Sequence, residues 1–129
     1  MNRDRAIRTL VGIRMGIGVG AWVTPRVAGR LFGLDPAGNP QAPYLGRLFG
    51  VRDAALAYGT AASSGAAQQR WLAMGLACDL ADAAAGVAGG RAGYLSGATT
   101  VLGTGTALAA VALGALALRE GNGTAPAAP

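Results

Sequence analysis

The stretch YLSGATTVLGTGTALAAVALGALAL, residues 94–118, carries no charged side chain over 25 residues. No other feature limits the fold so strongly. A helix of about 20 apolar residues crosses the hydrocarbon layer of a bilayer. Arg91 precedes the stretch and Arg119 follows it, where cationic side chains mark the borders of a span. Residues 94–118 are therefore predicted to form a transmembrane helix.

Three earlier segments approach this pattern, each with charge inside it. AIRTLVGIRMGIGVGAWVT, residues 6–24, stops at Pro25 and places Trp22 where an interfacial aromatic is expected. APYLGRLFGVRDAALAYGTAA, residues 42–62, has Pro43 in its first turn, where the missing N–H has no helical partner to lose. WLAMGLACDLADAAAGVAGG, residues 71–90, has Trp71 at one border and a glycine pair at the other. The expected fold is all-α. It is a polytopic membrane protein with a four-transmembrane-helix bundle in one domain, residues 1–118, with spans near 6–24, 42–62, 71–90 and 94–118.

Residues 25–41 join the first two spans. Their first half reads as a short amphipathic helix, with Leu31, Phe32 and Leu34 dipping into lipid and Arg26 and Arg30 at headgroups. Their second half holds Asp35, Pro36, Gly38, Asn39 and Pro40, all turn formers. GRLFGLD at 29–35 nearly repeats GRLFGVRD at 46–53, but a single recurrence does not establish a repeat fold. Residues 119–129 have little to bury and are expected to be disordered. The arginines before the first apolar run imitate a signal peptide. Arg14 interrupts that run and no small-x-small cleavage site follows cleanly, so the segment reads as a retained helix.

Composition agrees with a bilayer setting. Hydrophobic residues make up 52% and charged residues 13%, against about 25% charged in soluble domains. Alanine and 22 glycines dominate, and such small residues let helices approach closely where lipid replaces water. Every basic residue is Arg, which points to a GC-rich, bacterial genome. The Asn122-Gly-Thr sequon is discounted for the same reason. The net charge is +5, yet the arginines are scattered along the chain, which argues against nucleic-acid binding. Arg3, Arg5, Arg8, Arg70 and Arg119 fall on one side of a four-span topology, and Arg26, Arg30 and Arg91 on the other. The excess places both termini in the cytoplasm of a cell with the chain in its inner membrane.

The single cysteine, Cys78, and the absence of histidine exclude an internal disulfide, a Cys/His metal centre and a Cys–His nucleophile. No metal, cofactor or catalytic residue is expected. GIGVG at 16–20 lies inside a helix without a preceding strand, so it is not a dinucleotide fingerprint.

The polar residues at mid-span are the candidate site: Arg14, Arg52, Asp53, Asp79 and Asp82. Each costs about 2.5–3.5 kcal/mol at the centre of an inserted helix. Antiparallel spans bring them to similar depth, where opposite charges can pair. Asp79 and Asp82, three apart, share a helix face with Gly75 and Gly86. Asp53 lies on the stripe of Gly46, Gly50 and Ala57. Both carboxylate faces are thus small-residue faces suited to packing. Arg52 projects about 100° from Asp53 and could reach Asp79 or Asp82 from the edge. Arg14 lies opposite a Gly12, Gly16, Gly20 stripe that is expected to pack closely within or between chains.

Two uses follow. The network can fix helix register in a non-enzymatic membrane subunit or scaffold, as a homo-oligomer or within a larger membrane complex. Alternatively it can serve a small proton-coupled carrier or ligand-binding membrane module, since intramembrane carboxylates can relay a proton or bind a cationic or hydroxylated ligand.

An apolar first helix, then GRLFGLDP, RLFGVRDAALAYG and DLADAA, resembles an uncharacterised actinobacterial family of small four-helix integral membrane proteins, a domain of unknown function distantly similar to DoxX-like proteins. The resemblance covers about residues 6–118 and rests on Arg47, Gly50, Arg52, Asp53, Asp79 and Asp82. It implies a fold and no particular activity.

Overall fold

A computed structural model describes residues 1–122. The described residues form five helices and no strand: α1 Arg3–Val23, α2 Pro25–Leu31, α3 Ala42–Ala62, α4 Gly65–Ala92 and α5 Gly97–Asn122. Local chemistry sets most of their ends. The Asn2 side chain accepts from the Arg5 amide at 3.0 Å, and Asp4 sits in the first turn, so α1 starts three residues before the predicted boundary. Pro25 then ends α1 and opens α2, because its ring supplies no N–H to the preceding turn. α2 closes in a Schellman motif. Gly33 takes φ +75°, and the amides of Leu34 and Gly33 donate to Gly29 and Arg30 carbonyls, both at 2.9 Å.

α3 keeps its predicted bounds, whereas α4 and α5 start elsewhere than predicted. α4 begins at Gly65 rather than 71, because Ala66, Ala67 and Gln68 favour helix and Gln68 is anchored. Its Nε2 donates to the Thr60 and Ser63 carbonyls at 3.1 and 3.0 Å, capping the end of α3. α5 begins at Gly97 rather than 94. The positive φ of Gly93 turns the chain, and Ser96 Oγ accepts from the Thr99 amide at 3.1 Å as an N-cap. α5 continues to Asn122, so residues 119–122 of the expected disordered tail are helical. The rest of that tail, 123–129, lies outside the described residues.

The four long helices pack in a ring. α1 packs on α3 and α5, and α4 packs on α3 and α5, while the diagonal pairs α1–α4 and α3–α5 make no close backbone approach. α2 lies across α3 and the end of α1. The apolar core occupies one end of the ring, with Ala6, Ile7 and Leu10 of α1, Leu72 of α4, and Ala110 and Ala117 of α5. Arg3 fastens the same end by donating to the Ala117 carbonyl and the Gln68 side chain.

Small residues bring the helices together, though not the stripe expected from α1. A Cβ placed on Gly12, Gly16 or Gly20 would meet nothing within 4 Å, so that stripe faces away from the other helices of this chain. Gly18 makes the contact instead. A Cβ there would lie 2.8 Å from the Gly50 carbonyl, and one on Gly50 would lie 2.9 Å from the Trp22 amide. Large apolar side chains point outward on every long helix, among them Val19, Leu48, Val51, Met74, Leu80, Val101 and Leu108. Three helices, α1, α4 and α5 through Arg119, are long and apolar enough to cross a membrane. α3 is as long as α1 but carries Arg47, Arg52 and Asp53. An exterior of large aliphatic groups around an interior of small and charged ones marks a membrane protein.

Gly50→Val should lower stability by about 1–3 kcal/mol, because its branches enter the α1 backbone. Gly16→Ala should change it by less than about 0.5 kcal/mol, since that face is open within the chain. Unfolding of the purified variants against increasing SDS fraction measures both.

Candidate functional site

The five sequence-predicted residues gather at the middle of the ring. α1 carries Arg14 one helical turn beyond Leu10, the last α1 residue of the core. Arg14 is 2% exposed, and its Nη2 donates to Asp79 Oδ2 on α4. This pair spans a diagonal of the ring, between two helices whose backbones do not touch. It requires the full length of an arginine and an absent side chain on the far wall. Gly75, one turn before Asp79, supplies that space: a Cβ there would collide with the Arg14 guanidinium.

The second pair ties α3 to α4. Arg52 donates to Asp82 through Nη1 at 3.0 Å and Nη2 at 2.5 Å, a two-pronged geometry that matches a planar guanidinium to a carboxylate. Its Nη2 also reaches Asp53 Oδ1 at 3.3 Å, and its guanidinium lies 4.7 Å from the centre of the Phe49 ring. Arg52 and Asp82 are each about one-third exposed, whereas Asp53 is buried at 6%. Of the two partners open to Arg52 from sequence, Asp82 is the one used, because Asp79 is engaged by Arg14.

The network is not balanced. Two guanidinium groups face three carboxyl groups. Asp53 takes only the long contact from Arg52, although a carboxylate offers about four acceptor positions. Arg14 retains two buried N–H donors, at Nε and Nη1, that have no partner. Each such donor costs free energy unless something completes it.

Beyond the network the ring opens. A cavity of about 510 Å³ runs from Arg14, Asp53, Asp79 and Asp82 toward α2 and the 34–39 turn. Its walls are apolar: Ile13, Ile17 and Ala21 of α1, Phe32 of the α2 end, Leu45 and Phe49 of α3, Leu95, and Ala107 of α5. Gly46, Gly86 and Gly103 also line it, and of these only Gly103 has nothing within 4 Å of where a Cβ would stand. Thr99 Oγ1 donates to the Gly33 carbonyl at 2.8 Å and fastens the α2 end to α5 across the rim. The volume lies within the range of about 300–1,000 Å³ usual for small-molecule sites.

Sequence reasoning found the charged residues and missed the cavity. Phe32 and Leu34, both expected to dip into lipid, line the cavity instead, whereas Leu31 is exposed outside it. The carboxylate-bearing small-residue faces, Gly46, Gly50 and Gly75 among them, are the ones that meet neighbouring elements. No sequence signal marked Gly18, Gln68 or Thr99, whose roles depend on which helix lies opposite. Among the described residues, no group of His, Cys, Asp and Glu could hold a metal ion.

Arg14→Ala should cost about 3–5 kcal/mol, because Asp79 is left buried without its partner. The double variant Arg14→Ala with Asp79→Ala should recover part of that loss. Asp82→Asn should cost less than Arg14→Ala or Asp79→Ala alone, since its pair is partly exposed. The same SDS unfolding assay reads each variant, and the Arg14/Asp79 double-mutant cycle isolates the energy of that pair. Comparison of the chain with family models, with curated proteins and with solved structures finds no match.

Proposed function

We propose that this chain is a four-span protein of a bacterial cell membrane that binds a small lipophilic molecule between its helices. The observation that carries this reading is the junction of cavity and charge: an apolar chamber of about 510 Å³ whose lining includes the buried Arg14, Asp53 and Asp79. Buried polar groups in an otherwise apolar pocket orient a ligand and select it. A molecule held there keeps its body in a lipid-like setting and presents one polar end to the network.

The fourth span is α3. Its three charges are all engaged by protein: Arg52 and Asp53 turn into the ring, and Arg47 Nε donates to the Trp22 carbonyl at 3.2 Å. Its outward residues, Leu48, Val51 and Tyr58, suit lipid. With four spans, both termini and residues 63–64 share one side, and arginine is in excess there, which favours the cytoplasm. The same arrangement fits the resemblance to small actinobacterial four-helix membrane proteins. Catalysis is no part of this reading. A second reading, a non-enzymatic subunit or scaffold of a larger membrane complex, draws support from the diagonal Arg14–Asp79 pair, which fixes how α1 and α4 face each other.

Two measurements test the proposal. A photoreactive alkyl diazirine incorporated in vesicles should label Ile17, Phe32 and Ala107, and Ile17→Trp should reduce that labelling several-fold. Labelling confined to outward residues such as Val101 and Leu108 would overturn the ligand-binding reading. For topology, single cysteines in a Cys78→Ser background at Asn39 and Gly93 should react from the side opposite to cysteines at Ser64. Reaction of all three from one side would overturn the fourth span.

A further inference from the structure

The charged lining of the cavity is mostly carboxylate. Asp53, Asp79 and Asp82 line it with Arg14, while Arg52 stands outside the lining. The unpartnered network atoms that are sealed off are all guanidinium nitrogens: Arg14 Nε and Nη1, and Arg52 Nε. The carboxylate oxygens that receive no hydrogen bond, Asp53 Oδ2 and Asp79 Oδ1, are not among the sealed atoms. Arg14 answers Asp79 and Arg52 answers Asp82, so Asp53 is the surplus anion. It accepts only the long contact from Arg52, keeps 9% of its side-chain surface, and lines the cavity.

The carboxylates gather at one end of the chamber. On α3 the lining runs from Ala42 to Asp53, and on α4 from Asp79 to Gly86, so both helices begin or end their cavity face on a carboxylate. The opposite end lies at α2 and the 34–39 turn. Leu45, Phe49 and Asp53 follow at intervals of four and share one face of α3. An apolar strip about 12 Å long therefore leads from the Asp53 carboxylate toward α2.

Each kind of headgroup meets this end differently. A hydrocarbon leaves the Asp53 oxygen unmet. A carboxylate or phosphate brings another anion to a wall that already holds three. A hydroxyl donates one hydrogen bond and leaves the surplus charge in place. A bare metal ion wants several oxygen ligands, and among the described residues no group of His, Cys, Asp and Glu could hold one. A primary ammonium carries three donors and one positive charge. It can donate to Asp53 Oδ2, and it brings the network into charge balance. Moving an ammonium into an apolar setting costs free energy, and a buried carboxylate without a full partner is what offsets that cost.

We infer that the cavity takes a lipophilic primary amine in its protonated form, with the ammonium donating to Asp53 Oδ2 and the alkyl body lying along Phe49 and Leu45 toward α2. The inference rests on the ligand-binding reading above and narrows it to one headgroup class. Selection over a hydrocarbon of equal length should be at least about tenfold, the effect of a hydrogen bond between charged groups.

The test uses the full chain in nanodiscs of zwitterionic lipid and four ten-carbon competitors: decylamine, decan-1-ol, decanoate and decane. The pH is held at about 8, where the amine is protonated and the acid ionised. Each competitor is compared, by its concentration in the membrane, for its ability to block labelling of Ile17 and Phe32 by an uncharged decyl diazirine. Decylamine should block at a concentration at least about tenfold lower than decane or decanoate, and several-fold lower than decan-1-ol. Asp53→Asn, checked for helix content and a single elution peak, should reduce the preference for decylamine over decane several-fold. Asp4→Asn, at the start of α1 and outside the cavity, should leave that preference as it is. If another competitor blocks best, if all four behave alike, or if folded Asp53→Asn keeps the full preference, the amine inference fails while labelling of the cavity residues still supports ligand binding. If the cavity residues are not labelled at all, the ligand-binding reading itself fails. The comparison of headgroups on the unmodified chain decides the matter even if Asp53→Asn does not fold.

Discussion

The diagonal pairing of Arg14 with Asp79 is the contact on which the interior depends. Adjacent helices in the ring meet through small residues and backbone, but α1 and α4 face each other across a gap that no backbone contact closes. A guanidinium on a long stem bridges that gap, and Gly75 gives it room. Removing either partner strands a charge where water is scarce, which costs far more than the pair itself contributes. The pair thus constrains register more than it adds stability.

The rest of the site grows from that constraint. With Asp79 engaged by Arg14, Arg52 turns to Asp82 and only grazes Asp53. The result is an uneven network, with an under-used carboxylate on one side and unpartnered guanidinium donors on the other. Such incomplete satisfaction is unusual in a buried setting, where polar groups are normally paired. It sits at the boundary between the two ends of the ring. Below it, Ile7, Leu10 and Leu72 close the core. Above it lies the cavity, lined in part by α2 and the turn that follows it.

The two near-identical pieces GRLFGLD and GRLFGVRD show how little a short motif decides. In the first, Gly33 adopts a positive φ and ends α2, because Asp35 and Pro36 follow and cannot extend the helix. In the second, Val51, Arg52, Asp53 and Ala54 follow, and Gly50 stays inside α3 against the α1 backbone. The neighbouring residues, not the shared five, set the outcome. Similarly, the glycine spacing of α1 singled out Gly12, Gly16 and Gly20, yet Gly18 makes the contact. In a helix this rich in small residues several faces are equally able to pack, and the partner's shape picks one.

Sequence by itself determined the helical class, the long uncharged span of α5, the bounds of α3, and the identity of the interior charges. Each follows from local or per-residue physics: the length needed to cross hydrocarbon, the breaks imposed by Pro25, Pro36 and Pro40, and the cost of a charge at a helix centre. Tertiary structure alone decided which carboxylate answers which arginine, which glycines admit a neighbour, and that Phe32 turns toward a cavity. Those outcomes depend on the rotation and separation of whole helices. Rotation and separation arise from many small-residue contacts acting together, and no single position along the chain records their sum.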